Sequence, residues 1–327
     1  MTCKSCQRSC RVSEGLSLGS EKTAFIVNLN AATGSTVREW PLIKALARDR
    51  LGPFRWHLTT GPGDATRLTR LALSEGVERI VCVGGDGTLN EIVNGFMQGD
   101  CSIKTDAVVG CIPRGTGCDF IRSVSIPREL NHALDLIEAN HIRPVDLGRL
   151  RFKDHDGRPT CRYFHNVTSF GLGGEVDDRV NRTIKAFGGF ISFIWATLIS
   201  ILIYDKKHVY IKLDNALDKE FVTWNVAVAN GQYHGGGMRV APDAVMDDGL
   251  FHVTVIGDFT LPEVFWNLPK LYNGTLLQLE KVSSYTAKKV EAYSHQRVLL
   301  DVDGEQAGRL PVIIDMVPKA LNLIVQK

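Results

Sequence analysis

Between residues 24 and 144, short apolar runs alternate with stretches of helical period, and this alternation constrains the fold more than any other feature. "AFIVNLN" (24–30), "FRWHLTT" (54–60), "RIVCVGG" (79–85) and "AVVGCIP" (107–113) read as strands. A helix follows the first from about Glu39, with Pro41 in its first turn and Trp40, Ile43, Leu46 and Ala47 at helical spacing. Ala65, Leu68, Leu71 and Ala72 mark a second helix, and Leu89, Ile92, Val93 and Phe96 a third. Leu130, Ala133, Leu134 and Ile137 mark a fourth. Such alternation predicts a mostly parallel sheet covered on both faces. Ligands of these sheets gather at the carboxyl ends of the strands. "VNLNAATG", "LTTGPGD", "GGDGT" and "PRGTGCD" all lie there, so four polar, glycine-bearing loops converge on one rim.

After about Pro144 the character changes. "PVDLGRLRF", "CRYFHNVTSFGLG", "FVTWNVAVANG", "LFHVTVIG" and "RVLLDVDG" are strand-like and rich in β-branched and aromatic residues, so a second, β-rich domain is expected. The resulting division is a loose tail over 1–21, an α/β domain over 22–145 and a β-rich domain over 146–327. The final run "LNLIVQK" fits either sheet, which leaves the last strand free to return to the first domain. "AFGGFISFIWATLISILIY" (186–204) carries no charge, which brings it near the length of a membrane span. A lone span between strand-rich segments would put parts of one fold on opposite sides of a bilayer. The remaining readings are a buried core helix and a helix lining an apolar pocket.

A chain of 327 residues with 44% apolar and 23% charged side chains has the size and composition of two globular domains. A net charge of +2 offers no basic face and argues against nucleic acid as a partner. The eight cysteines form no paired framework, and Cys82 and Cys111 fall inside apolar runs. Cys3, Cys6 and Cys10 cluster in "CKSCQRSC" without a fourth ligand nearby, as in a polar tail rather than a metal site. The chain starts without a charged-then-apolar segment, and a reduced, cytoplasmic protein is expected.

The loop "GGDGTLNE" has the outline of a phosphate cradle but carries Asp86 at its tip. It lacks the lysine of a Walker loop and the third glycine of a dinucleotide fingerprint. A carboxylate beside ATP makes sense when a divalent cation lies between them. Without one, two like charges a few Å apart would cost on the order of several kcal/mol. Gly84, Gly85 and Gly87 would then let the backbone approach closely. The bland alternative is a strand-to-helix turn with a solvent-facing Asp. "PRGTGCDF" repeats the theme with Thr116 and Asp119, although an acidic residue at a helix start explains that loop equally well on its own. Asp303 and Glu305 in "LDVDGEQAG" flank Gly304, and either could take a proton from an attacking hydroxyl. Alone, that run reads as an ordinary acidic turn.

Together, "GGDGTLNE", "PRGTGCDF", "NVTSFGLGGEV", "APDAVMDDGL" and "DVDGE" resemble, in order, the motifs of the diacylglycerol kinase catalytic-domain family. That family includes soluble bacterial lipid kinases and the sphingosine and ceramide kinases, and the resemblance covers roughly residues 22–327. It implies a Rossmann-like, NAD-kinase-like α/β domain, a C-terminal β-sandwich domain, and ATP in the cleft between them. By the same resemblance Gly84, Gly85, Asp86, Gly87, Thr88 and Asn90 would hold the ATP phosphates and Mg²⁺, with Thr116 and Asp119 completing the site. Asn28 and Thr59 would contact the nucleotide. Glu305 matches the family's proton acceptor, with Asp303 beside it. "VMDDGL" resembles a structural Mg²⁺ site made by the Asp248 side chain and the carbonyls of Val245 and Leu250. Two positions depart from the pattern: Cys118 stands where the family usually has Asn, and Leu29 where it usually has Pro. Cys lacks the amide's donor and acceptor, and Arg114 is either a substitute phosphate contact or a surface residue.

The expected function is therefore an ATP-dependent transfer of phosphate to a lipid hydroxyl, on diacylglycerol or a related lipid such as a sphingoid base. The expected setting is cytoplasmic and peripheral to a membrane, with a homodimer as one compatible assembly, and residues 186–204 become a pocket wall or interfacial helix. An NAD kinase shares a GGDG loop but gives no role to an uncharged run of that length. A non-catalytic lipid-binding module would not need Asp86, Asp119 and Glu305 together.

Overall fold

A computed structural model describes residues 21–99, 101–183, 197 and 199–327. The amino-terminal cysteines and most of the uncharged 186–204 run lie outside the described residues. The chain opens with β1 (Thr23–Val27), α1 (Ser35–Leu51), β2 (Arg55–Leu58), α2 (Asp64–Ser74), β3 (Arg79–Gly84) and α3 (Asp86–Phe96). Then come β4 (Met97–Gln98), β5 (Cys101–Ser102), β6 (Val108–Pro113), α4 (Asp119–Ser123) and α5 (Leu130–Ala139). Next are β7 (Ile142–Lys153), β8 (Pro159–Phe164), β9 (Val167–Gly171), α6 (Leu172–Thr183), β10 (Lys207–Leu213), β11 (Leu217–Thr223) and β12 (Asn225–Ala229). The chain ends with β13 (Tyr233–His234), β14 (Met238–Arg239), β15 (Phe251–Ile256), α7 (Leu261–Asn273), β16 (Val282–Ala287), β17 (Lys289–Tyr293), β18 (Leu299–Val302) and β19 (Glu305–Ile324).

Strands β2, β1, β3 and β6 lie side by side and parallel. Alternate residues face opposite layers, as the two-residue period of a strand requires. Ala24, Ile26, Ile80, Cys82, Val109 and Cys111 pack under α2 and α3, while Phe25, Val27, Val81, Val83 and Ile112 pack under α1 and α5. Burial on both faces explains why these strands read as unbroken apolar runs. Strands β7 to β12 and β15 to β19 build an antiparallel sandwich around Phe164, Phe170, Phe251 and Leu300, while β4–β5 and β13–β14 are separate hairpins. Strand β19 joins the two layers: it pairs antiparallel with β18, β17 and β7, then parallel with β6 through Asn322 and Leu323. The carboxyl-terminal strand thus returns to the α/β sheet.

The helices depart from the sequence reading in three places. Helix α1 starts at Ser35, which puts Pro41 inside it rather than in its first turn. The helix tolerates this because the carbonyl Pro41 leaves unbonded belongs to Val37, which is exposed. On α2 the buried stripe is Ala65, Leu68, Thr69, Ala72 and Leu73, at i, i+3, i+4, i+7 and i+8, and Leu71 lies off it, exposed. In the sandwich half, α7 interrupts a segment expected to be mostly strand. Its signal was present: Thr260 and Glu263 form a reciprocal cap, and Gly274 closes the helix at φ +78°. Among the described residues no helix is long and apolar enough to cross a membrane.

Candidate active site

The rim above β3 and β6 is built by two glycine loops packed backbone to backbone. A Cβ on Gly84 would lie 2.6 Å from Thr88 Oγ1, and one on Gly115 would lie 2.5 Å from Gly85 Cα. Side chains are thus excluded where the loops meet, and the first turn of α3 is left open to an anion. Asp86 reaches across the join. Its Oδ2 accepts the N–H of Asp119 at 3.1 Å and its Oδ1 that of Phe120 at 3.3 Å. Burial first, and then the Asp119 carboxylate, raise the Asp86 pKa above the ordinary value. Asp119 Oδ2 accepts Gly236 N–H at 2.7 Å, while Asp119 Oδ1 is buried without a hydrogen-bond partner, 3.6 Å from Arg122 Nη1.

These two carboxylates fit a divalent cation. Both face the space beside Gly117, where a Cβ would lie 3.6 Å from Asp86 Oδ2 and 3.8 Å from Asp119 Oδ2. A buried acidic pair with one unpartnered oxygen gains from a positive charge between its members. Among the described residues no three His, Cys, Asp or Glu side chains converge on a metal. Two carboxylates suit a hard divalent cation that completes its shell with phosphate oxygens and water.

Asn28, Thr59 and Thr88 share a separate cleft of about 220 Å³ with Asn30, Gly61 and Glu91. Asn28 Nδ2 donates to Thr88 Oγ1 at 3.0 Å, and Glu91 accepts the N–H groups of Gly63 at 2.7 Å and Ala65 at 2.9 Å. Asn90 does not join them. It is buried, with Nδ2 donating to Tyr163 O at 2.9 Å and Asp303 Oδ2 at 2.7 Å, and Oδ1 accepting Arg162 Nη2 at 2.8 Å. Both ends of its amide are occupied in a bridge between α3 and the sandwich. Arg114 is likewise committed, paired through Nε with Glu39 Oε2 at 2.6 Å. Cys118 caps α4 in the left-handed region (φ +51°) and turns its Sγ toward Gly115 O at 3.4 Å. Burial first, then Asp86, raise its thiol pKa.

The "DVDGE" run is a two-residue hairpin between β18 and β19, with Asp303 and Gly304 at φ +50° and +86°, as Asp-Gly favours. It separates the two acids. Asp303 is buried and accepts four hydrogen bonds: from Asn90 Nδ2, and from the N–H groups of His165 (3.0 Å), Asn166 (3.1 Å) and Val167 (3.0 Å). His165 Nδ1 lies a further 2.7 Å away. Burial would raise its pKa, but the His165 charge and these donors together bring it below the ordinary value. Four donors thus already engage Asp303, which leaves Glu305 the more open of the two acids. Glu305 stands on the rim with its side chain 44% exposed and Arg162 Nη2 on Oε2. Its Oε1 lies 3.2 Å from where a Gly87 Cβ would be, so the third glycine of "GGDG" clears room for the acid.

A cavity of about 380 Å³ opens beside these groups. Asp86, Thr116, Asp119, Asp177 and His234 line one end, and Leu172, Val176, Ile201, Trp224, Leu268 and Leu271 are among its apolar walls. The described end of the uncharged run takes part: Ile201 is buried while Leu202 and Ile203 are exposed. The loop bearing Val245, Asp248 and Leu250 lines neither cavity. Asp248 Oδ1 accepts Leu250 N–H at 3.0 Å, and buried Asp146 fastens the loop by accepting Gly249 N–H at 2.7 Å. Sequence reasoning missed Asp146, Arg162, His165, Asp177, His234 and Asp301. A faint signal existed for His234, whose run "YHGGG" is a chemistry-bearing side chain before three glycines, all at positive φ.

Known proteins are similar to this chain over most of its length. The sequence profile of the diacylglycerol kinase catalytic domain matches residues 22–150, and that of the YegS C-terminal NAD kinase beta sandwich-like domain matches residues 166–325. A diacylglycerol kinase of Staphylococcus carnosus is 30% identical over 256 residues, spanning 78% of this chain and 79% of its own. A probable lipid kinase YegS-like protein of Klebsiella pneumoniae is 27% identical, spanning 92% and 96%. In fold, a diacylglycerol kinase from Bacillus anthracis superposes with a TM-score of 0.67 at 23% identity, over 94% of this chain and 97% of that one. Yeast NADH kinase superposes at 0.51 and 12% identity, over 95% and 85%.

Proposed function

The chain belongs to the diacylglycerol kinase catalytic-domain family and is an ATP-dependent lipid kinase, and we propose that its acceptor is diacylglycerol or a closely related lipid. The observation that carries this reading is the cavity, whose lining joins Asp86, Asp119 and the Asp303–Gly304 turn, next to Glu305, to walls that are apolar. A soluble dinucleotide has no use for such walls; an acyl chain does. In this reading residues 22–145 form the nucleotide half and 146–327 the acceptor half, with Glu305 reaching across the join.

Gly84, Gly85 and Gly87, with Thr88 and Thr116, would cradle the ATP phosphates against the α3 N-terminus, and Asn28 and Thr59 would contact the rest of the nucleotide. Asp86 and Asp119 would hold Mg²⁺, which when bound neutralises charge on the transferring phosphoryl group. Glu305 takes the proton of the lipid hydroxyl as its oxygen bonds to the γ-phosphorus, and ADP leaves. Arg162 keeps Glu305 directed at Gly87 and, once the acid is protonated, still has Asn90 Oδ1 as partner. A second Mg²⁺ at Asp248, with the Val245 and Leu250 carbonyls, would have a structural role. Exposed Leu202, Ile203, Phe265 and Trp266 surround elements whose other faces line the cavity, which suits a peripheral approach to a membrane surface.

Replacing Glu305 with Gln tests the assignment. Turnover should fall by about 10³-fold, while ATP affinity, read by nucleotide titration, stays within about twofold. Wild-type turnover in that variant would remove Glu305 as the base.

A further inference from the structure

Beside the Glu305 turn lies a cluster that the transfer step does not use, made of the buried Asp301 and Asp177 and the partly buried His234. Asp301, fully buried on β18, accepts Ser169 Oγ at 3.0 Å and Gly304 N–H at 2.8 Å, and its Oδ2 lies 2.8 Å from His234 Nε2. Gly304 is the residue before Glu305, so this carboxylate grips the turn next to the base. His234 belongs to the β13–β14 hairpin, whose Gly236 N–H is donated to Asp119 Oδ2 at 2.7 Å. One hairpin therefore touches Asp119 on the phosphate side and Asp301 on the base side.

We propose that His234 is a positioning residue: as the ion partner of Asp301 it fixes the Gly304–Glu305 turn against Gly87, in register with the Asp119 that its own hairpin holds. The proposal rests on the Glu305 reading above.

A fully buried carboxylate stays ionised only when a cation and donors surround it. Asp301 has Ser169, Gly304 and His234. Burial alone would push the His234 pKa down, but the Asp301 charge outweighs it and lifts the value to about 10, so the ring is cationic at neutral pH. Asp177 moves the other way. Burial first, then the Asp301 charge, raise it well above the carboxylate range, and its Oδ2 is buried without a hydrogen-bond partner. Both Asp301 oxygens are engaged: Oδ1 by Gly304 N–H, and Oδ2 by Ser169 Oγ beside the His234 ring. Without His234, Asp301 Oδ2 would lose the ring nitrogen 2.8 Å away, and a buried carboxylate left short of a partner would shift toward other donors. The hold of Oδ1 on Gly304 N–H would weaken.

The test measures kcat and KM for ATP and for diacylglycerol in mixed micelles, using the full chain as wild type, His234→Phe, His234→Gln and Asp301→Asn. ATP affinity is read separately with a fluorescent ATP analogue, and rates are expressed per folded molecule from circular dichroism. A base displaced by about 1 Å costs on the order of 100-fold in rate, so His234→Phe should lower kcat by about 100-fold. ATP affinity and the acceptor KM should stay within about twofold. His234→Gln keeps an N–H donor without the charge and should recover roughly tenfold of that loss. A kcat within twofold of wild type in His234→Phe overturns the proposal. So does a rise in acceptor KM with kcat intact, which would make His234 an acceptor contact instead. Should His234→Phe fail to fold, His234→Gln and Asp301→Asn decide: each must lose about tenfold in kcat, and equality with wild type refutes the role. If wild type labels a soluble acceptor and no lipid, the lipid reading fails, while the same kcat ratios on that acceptor still judge the positioning role.

Discussion

Asp86 and Asp303 both occupy glycine turns at the rim, yet their surroundings pull their pKa values apart. Burial and the Asp119 carboxylate outweigh the two backbone donors at 3.1 and 3.3 Å, so the Asp86 proton is held more tightly than in the unfolded chain. Its ionised form costs stability above that raised pKa, until a cation binds. Asp303 has four hydrogen bonds and His165, and its pKa is depressed. Its contribution is present above the unfolded value and is lost as pH falls through the folded one. Unfolding by acid should therefore begin to draw on Asp303 below about pH 4, and Asp303→Ala should cost about 3–5 kcal/mol in urea titrations at neutral pH. A loss under 1 kcal/mol would mean that its partners relax freely. Cys118 gives the opposite expectation. Its φ of +51° suits Asn better than Cys, and the loop offers Gly115 O to an amide. Cys118→Asn should raise stability by about 1 kcal/mol in the same titration; a loss would show that thiol packing outweighs backbone strain. Asp86, Asp119 and Glu305 were legible because glycines mark the turns that present them. Asn90 was not, since its partners Tyr163 and Asp303 lie 73 and 213 residues away. His234 and Asp301 escaped for the same reason.

At the scale of elements, periodicity located the four strands and four long helices of the α/β layer, because a sheet buried on both faces imposes apolar runs. It was less informative in the sandwich, where α7 sits among strands behind the Thr260–Glu263 cap. That helix is two-faced. Val264, Leu268 and Leu271 line the cavity, while Trp266 is 85% exposed. If this outer face meets a bilayer, Trp266→Ala should weaken partitioning onto anionic vesicles by on the order of tenfold, with kcat on micellar acceptor unchanged. Equal sedimentation of variant and wild type with vesicles would place the contact elsewhere. Strand β19 shows what pattern cannot reveal: a 20-residue strand pairs with four others across both layers, and its last turn onto β6 depends on register, not composition.

For the whole molecule, the two layers meet where function requires it. The α/β sheet supplies Asp86 and Asp119 from adjoining loops, the sandwich supplies Glu305 from a hairpin, and the cavity runs from the carboxylates between apolar walls. The architecture is shared with an NADH kinase, so fold alone does not choose the acceptor, and the proposed lipid acceptor rests on the apolar walls. The most direct test supplies γ-labelled ATP and Mg²⁺ with diacylglycerol, a sphingoid base, ceramide, phosphatidylglycerol and NAD in turn, and asks which product carries label. Label on diacylglycerol or a related lipid, with none on NAD, is the predicted result. Label on NAD alone, with every lipid left unlabelled, would contradict it.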